Sequence, residues 1–244
     1  MKKYLRNAMF AVLPLAMGLP LAAQSSEGIT RQQADEIINE LRQIRQLLQK
    51  QGQPQPQPEP TPTRAKLSLQ GFEMLGDKNA PLTVVEFTDY QCPFCQRFHM
   101  TAYPELKKNY IDTGKVRFYS RDLPLDFHAN AMRAAQAARC ANEQGQYWKL
   151  REIMSSNPDK LDMANLVTFA TDLKMDASKF RSCVESEKYK TAVQTDSMEA
   201  MKIGASGTPT FVVGKSTADG VDGEVMIGAM PFPMFDEKLK SLQK

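Results

Sequence analysis

The order of predicted elements places the chain among α/β folds, as one domain carrying a helical insertion. Three observations predict it. Leu82, Val84, Val85 and Phe87 read as a short buried strand, and Cys92-Pro93-Phe94-Cys95 follows at once. From Phe127 to about Met201 the pattern is helical throughout. Strands read on both sides of that block, giving β-β-α-β, then helices, then β-β-α.

The chain has 244 residues and is 42% hydrophobic, enough for a sizeable core. Residues 1–23 read as a cleaved secretory signal. Lys2, Lys3 and Arg6 form the basic region, Ala8–Leu21 the apolar core, and Leu21-Ala22-Ala23 the cleavage site. Its removal takes three basic residues and no acidic ones, so the formal charge falls from +3 to 0. No basic patch with interleaved aromatics points to nucleic acid. Export implies an oxidising compartment, where four cysteines can form two disulfides.

Residues 24–51 hold an amphipathic helix, with Thr30 as its cap. Ile37, Leu41, Ile44 and Leu48 follow at coiled-coil spacing, and Ile38 and Leu47 widen the stripe. Self-association through residues 29–51, with a dimer favoured, gives that stripe a partner; packing on the chain's own catalytic domain is the alternative. A Pro/Gln-rich linker over residues 52–65 follows. Its alternating prolines favour extended polyproline II, and twelve such residues span roughly 37 Å.

In the domain over 66–244, Lys66–Phe72 reads as a first strand and Gly76–Pro81 as a turn into the strand at 82–89. A helix runs from Cys92 to about Thr113, bent near Pro104 and ended by Gly114. Lys115–Arg121 alternates as a strand. The insertion, at about 127–203, divides into helices at Ala129–Glu143, Tyr147–Ser155, Met163–Leu173, Ala177–Glu185 and Tyr189–Ile203. Thr210–Val213 and Glu224–Ile227 are strands, and Phe232–Leu242 is a closing helix.

Pro93 suits the first turn of a helix, which sets Cys92 at the helix N-terminus and Cys95 one turn deeper. The thiolate is the nucleophile, and the positive end of a helix lowers a thiol pKa. Cys92 is therefore the expected attacker and the more exposed sulfur; Cys95 resolves the mixed disulfide. Phe94 puts no charge between them. A zinc site would want four ligands, and beyond Cys92, Cys95 and His99 there is no second Cys-x-x-Cys. No metal is therefore assigned, and His99 and His128 read as local hydrogen-bonding or surface residues.

The strand-linked Cys92–Cys95 pair, the helical insertion and Gly207-Thr208-Pro209-Thr210 before a strand occur in the order of a known family. Over about residues 66–243 the chain resembles the DsbA-like disulfide oxidoreductases exported by bacteria, a branch of the thioredoxin superfamily. The resemblance implies a thioredoxin fold with an inserted helical domain. It implies a cis Pro209 facing the sulfurs, with Pro93, Phe94, Thr208 and Pro209 contacting substrate. It also implies a catalytic role for Glu86, six residues before Cys92; a carboxyl in an apolar strand should have a raised pKa and could move a proton to or from Cys95. Relatives often carry a pair like Cys140 and Cys183, which implies a structural disulfide, with two separate thiols or a redox relay as alternatives. The best-known pattern is Cys-Pro-His-Cys. With Phe94 in place of the histidine, Cys92 should be less acidic and the disulfide less oxidising.

The resemblance implies a periplasmic thiol:disulfide oxidoreductase acting on unfolded or misoxidised exported proteins. It needs no organic cofactor, because the Cys92–Cys95 disulfide carries the electrons. A membrane redox partner of the DsbB or DsbD type would serve it. The amphipathic helix favours a dimeric isomerase, and the domain's own sequence favours an oxidase. An oligomeric chaperone or binding module for unfolded secreted proteins is the competing reading.

Overall fold

A computed structural model describes residues 29–51 and 64–243. The expected signal at 1–23 and the proline run at 52–63 lie outside the described residues. The chain divides between Glu59 and Pro60 into two units, and each is described by itself.

In the first unit, α1 spans Arg31–Gln51. Thr30 caps it reciprocally: Gln33 N–H donates to Thr30 Oγ1 at 3.3 Å, and Thr30 N–H to Gln33 Oε1 at 3.0 Å. Ile37, Ile38, Leu41, Ile44 and Leu47 are all exposed along it.

The second unit is built on a six-stranded sheet in the order β1-β6-β5-β3-β4-β2. The strands are β1 (Arg64–Ser68), β2 (Met74–Leu75), β3 (Leu82–Thr88), β4 (Val116–Asp122), β5 (Thr210–Ser216) and β6 (Gly220–Ile227). Only β3 and β4 run parallel; every other pairing is antiparallel. All seven residues of β3 are buried, Thr83, Glu86 and Thr88 included, which is why its apolar residues fall on both faces of the strand and do not alternate.

Two expectations are corrected here. The first strand starts at Arg64, so the linker cannot reach residue 65. Arg64 and Lys66 point outward to Asp222 of β6 at 2.6 and 3.3 Å, while Ala65 and Leu67 go inward. The long helix after Cys92 breaks into α2 (Pro93–Met100), α3 (Ala102–Leu106) and a π-helical turn at Lys107–Ile111. Pro104 has no N–H for the Met100 carbonyl, and Thr101 Oγ1 bonds instead to the Arg97 carbonyl at 2.7 Å; both bend a helix. Gly114 ends the segment at φ +71°, open to glycine at little cost.

The inserted helices are α4 (Ala131–Asn142), α5 (Tyr147–Ser156), α6 (Met163–Asp172), α7 (Ala177–Glu185) and α8 (Lys190–Lys202). The alanines of α4 are the reason it can sit at the centre. Ala134, Ala137, Ala138 and Ala141 are buried against Leu150, Met154, Leu166 and Phe180, because small side chains let neighbouring helices approach. Cys140 and Cys183 are bonded to each other and tie α4 to α7 across 43 positions. A closed loop of that length contributes about 2–4 kcal/mol by restricting the unfolded chain. A closing helix, α9 (Phe232–Leu242), packs Phe235 and Leu239 beside Phe98, Phe118 and Phe211 on one face of the sheet. The opposite face buries Val85, Phe87 and Val212 with Leu67 and Ala200.

Polar groups bolt the insertion to the sheet. Arg121 of β4 meets Asp196 of α8 at 2.6 Å, and Arg139 of α4 bridges Asp122 and Asp196 at 2.6 Å each. Burial pushes Asp122 up to about 6 against the pull of Arg139. Tyr147 donates to the Ser120 carbonyl at 3.0 Å.

Candidate active site

The site forms where β3 stops and α2 starts. Cys92 is the N-cap residue, in extended conformation at φ −72° and ψ 122°, and Pro93 is the first helical residue. That leaves N–H groups of the first turn directed at the Cys92 sulfur. Across from it the Thr208–Pro209 peptide bond is cis. The Cys92 thiol donates to the Thr208 carbonyl at 3.4 Å, so the loop before β5 touches this sulfur. Phe94 is exposed beside Cys92, with the Arg97 guanidinium 5.0 Å from its ring centre.

Both cysteines are free thiols, and their exposures are nearly equal, 3% for Cys92 and 2% for Cys95. The difference runs in the direction expected for Cys92 but is slight, so access alone hardly distinguishes them. Chemistry does. The neighbouring Cys95 thiol is the largest cause lowering Cys92; burial opposes it, and the Thr208 hydroxyl and the N–H groups of Cys95 and Phe94 add to the fall, to about 5. The Thr208 hydroxyl is buried with no other partner, so it is available to the thiolate. Burial pushes Cys95 well up, and the charges of Cys92 and Glu86 push it further. One sulfur is a thiolate at neutral pH and the other holds its proton. Alkylation of the reduced protein should thus rise about tenfold per pH unit below pH 5 and level off above it. A midpoint near 9, read by mass spectrometry, would contradict this.

Glu86 lies fully buried in β3, behind the cysteines. Its pKa is not raised. Burial alone would raise it, but the charges and hydrogen bonds of His99 and Arg151 overrule burial and bring it down to about 2. Arg151 of α5 donates to Glu86 Oε2. His99 Nε2 lies 3.1 Å from Glu86 Oε1 and 2.9 Å from Arg151 Nη2, so one tautomer donates to the carboxylate and the other accepts from the guanidinium. A carboxylate held ionised carries no proton at neutral pH. Its charge is one of the causes that push the Cys95 thiol upward.

Sequence reasoning missed Arg151, because it carries no motif and lies 65 positions from its partner. It also missed Asp89, a buried carboxylate three residues before Cys92. The Asp89 N–H donates to Cys95 Sγ at 3.5 Å, and its carbonyl accepts from Cys92 N–H at 3.1 Å. Cys92, Cys95, Thr208, Pro209 and Glu86 come together; Cys140 and Cys183 belong to the insertion's own core. Among the described residues no three His, Cys, Asp or Glu side chains are arranged to hold a metal ion.

Comparison with known proteins agrees with this arrangement. The thioredoxin family matches over residues 70–225. A Na(+)/H(+) antiporter, NhaA 3 of Salinispora tropica, is 36% identical over 139 residues, 57% of this chain and 21% of that protein. The chain thus spans about a fifth of the length of the antiporter relatives it matches. Among the described residues no helix is long and apolar enough to cross a membrane. A probable disulfide bond formation protein D of Bacillus anthracis is 29% identical over 181 residues, 70% of this chain and 77% of that one. The oxidised structure of BdbD from Bacillus subtilis superposes with a TM-score of 0.65 at 25% identity, covering 75% of this chain and 99% of that chain. With the family match over most of the domain, the inserted helices on the sheet and two thiols facing a cis proline, the chain belongs to the thioredoxin family, as a DsbA-like member.

Proposed function

We propose that the protein is a periplasmic thiol:disulfide oxidoreductase that forms and isomerises disulfides in exported proteins through Cys92 and Cys95. The observation that carries this reading is the opposite displacement of two adjacent thiols beside Thr208–Pro209. In the oxidised protein a substrate thiolate attacks Cys92 Sγ, and Cys95 leaves as a thiolate and takes up a proton. A second substrate thiolate then attacks the substrate sulfur of the mixed disulfide. Cys92 leaves with the electron pair, which its low pKa favours. The substrate gains a disulfide and the protein holds two electrons as a dithiol. Isomerisation starts instead from the dithiol, with Cys92 attacking a wrong substrate disulfide and a substrate thiolate later releasing it. The disulfide is the only cofactor required. A membrane partner of the DsbB or DsbD type would reset its oxidation state.

The sequence of residues 1–23 and the bonded Cys140–Cys183 pair support an exported, oxidising location. The exposed apolar stripe of α1 supports a homodimer. Reactivation of scrambled ribonuclease tests both the activity and the helix. The chain lacking 1–23 should reactivate it, and the chain also lacking 24–63 should lose that activity while still oxidising reduced ribonuclease. Equal reactivation by the two would remove the dimeric isomerase and leave an oxidase.

A further inference from the structure

The two sulfurs of the thiol turn are served by different backbone groups. The N–H groups of Phe94 and Cys95, in the first turn of α2, serve Cys92. Cys95 lies one turn deeper and is only 2% exposed, so little water reaches its sulfur. Cys95 Sγ accepts instead from Asp89 N–H at 3.5 Å. That N–H belongs to the Thr88–Asp89 peptide, which is pinned at its other end, where the Thr88 carbonyl accepts from Leu123 N–H at 2.8 Å. The Asp89 side chain fixes the next link. Its Oδ1 accepts from Gln91 N–H at 2.7 Å; its Oδ2 accepts from Leu125 N–H at 2.8 Å and lies 2.7 Å from His128 Nδ1. The Asp89 carbonyl accepts from Cys92 N–H at 3.1 Å. Both carboxylate oxygens are used as acceptors, and asparagine would offer only one such oxygen, so the position calls for aspartate.

We propose that the Asp89 N–H is a catalytic group that holds the charge of the departing Cys95 sulfur, and that the Asp89 carboxylate, bonded to Gln91, Leu125 and His128, keeps it aimed. When a substrate thiolate attacks Cys92 Sγ in the oxidised protein, a bond forms between those two sulfurs and the Cys92–Cys95 bond breaks. The electron pair goes to Cys95 Sγ, which stays charged until a proton reaches it from solvent. Burial and the Glu86 charge oppose that anion, and the Asp89 N–H favours it. A hydrogen bond to a charged group is about twice as strong as one between neutral groups, so this one is strongest while the sulfur is leaving. The same contact serves the reverse step, in which the Cys95 thiolate attacks the mixed disulfide. This deepens the oxidoreductase reading and rests on it.

The test replaces Asp89 by malate, its α-hydroxy analogue, in the chain lacking residues 1–23. An oxygen then stands where the N–H was, and the side chain is kept. The oxidised chain is reduced with dithiothreitol at pH 7, quenched in acid, and read by mass spectrometry at the peptides holding Cys92 and Cys95. Reduction should slow by about tenfold, because the hydrogen bond to a charged sulfur is only partly developed during the attack. The equilibrium with a glutathione redox buffer should stay within about threefold, since Cys95 is uncharged in both end states and neutral sulfur accepts weakly. The alkylation profile of Cys92 should not move. Asp89→Ala removes a negative charge, which alone would speed a leaving thiolate; it should nevertheless slow the same reduction, by about threefold, as the N–H loses its aim. A malate chain reduced at the wild-type rate, or one whose equilibrium or Cys92 profile shifts as far as its rate, overturns the proposal and leaves the oxidoreductase reading intact. So does an Asp89→Ala chain that is reduced faster. A wild type that dithiothreitol does not reduce at Cys92 and Cys95 overturns both.

Discussion

A Cys92→Ser chain is expected to exchange no disulfides above the uncatalysed level, and a Cys95→Ser chain to stall on its substrate. The two results differ because the two sulfurs do different work. Without Cys92 no thiolate is available, since burial keeps the Cys95 proton in place at neutral pH. Without Cys95, Cys92 still attacks a substrate disulfide through its thiolate, but the mixed disulfide has lost its intramolecular resolver and waits on the slower attack of a substrate thiolate. Cys95→Ser should therefore accumulate a covalent complex with reduced, partly misoxidised ribonuclease. Non-reducing electrophoresis would show it as a band that thiol reductant dissolves. A Cys95→Ser chain that forms no such band, or a Cys92→Ser chain that does, would reverse the assignment of attacker and resolver. Cys92→Ser chains that still suppress aggregation of an unfolded protein would point to the chaperone reading.

Arg151→Met should be the most destabilising single change, by about 3–5 kcal/mol, because it leaves the buried Glu86 carboxylate with only an imidazole beside it. The pH dependence follows in sign. The folded Glu86 pKa of about 2 is below its ordinary value of 4.5, so the paired carboxylate adds full stability above pH 4.5 and loses it as pH falls toward 2. That linkage amounts to roughly 3 kcal/mol in the wild type. In Arg151→Met the carboxyl moves upward toward its buried preference, so this loss on acidification should shrink, and it should reverse, with stability rising as pH falls, once the folded pKa passes 4.5. Urea unfolding between pH 2 and pH 7 reads both effects. The double change Glu86→Ala with Arg151→Met should recover much of the loss, since it removes the stranded charge along with its partner. No recovery would mean that Arg151 acts through its packing on Phe118 and Trp148, whose rings it also covers at 5.4 Å.

The parts legible in the sequence were those written locally. The apolar run of β3, the Cys-Pro-Phe-Cys turn and the Thr208–Pro209 bend lie within a few residues of their own cause, and α7 and α9 were placed end to end. Glu86 was located correctly as a buried acid, yet its charge state was read backwards. Its burial is a property of β3, whereas its ionisation is decided by Arg151, brought in by the fold from another helix. Asp89 escaped for the same reason, since its partners Leu125 and His128 come 36 and 39 positions later. The two-residue β2 is too short for any periodicity to show. The break at Thr101 was signalled by Pro104, and only its position was misjudged.

The joints between sheet and insertion have an evolutionary consequence. Apolar seams tolerate drift, because one side chain of similar volume replaces another. Arg151 to Glu86, Asp196 to Arg121 and His128 to Asp89 do not, since each half is meaningless alone and costly when orphaned. The inserted helices are therefore no longer a detachable module. A lineage that trimmed them, or exchanged them for another bundle, would have to rewrite the strands beneath in the same step.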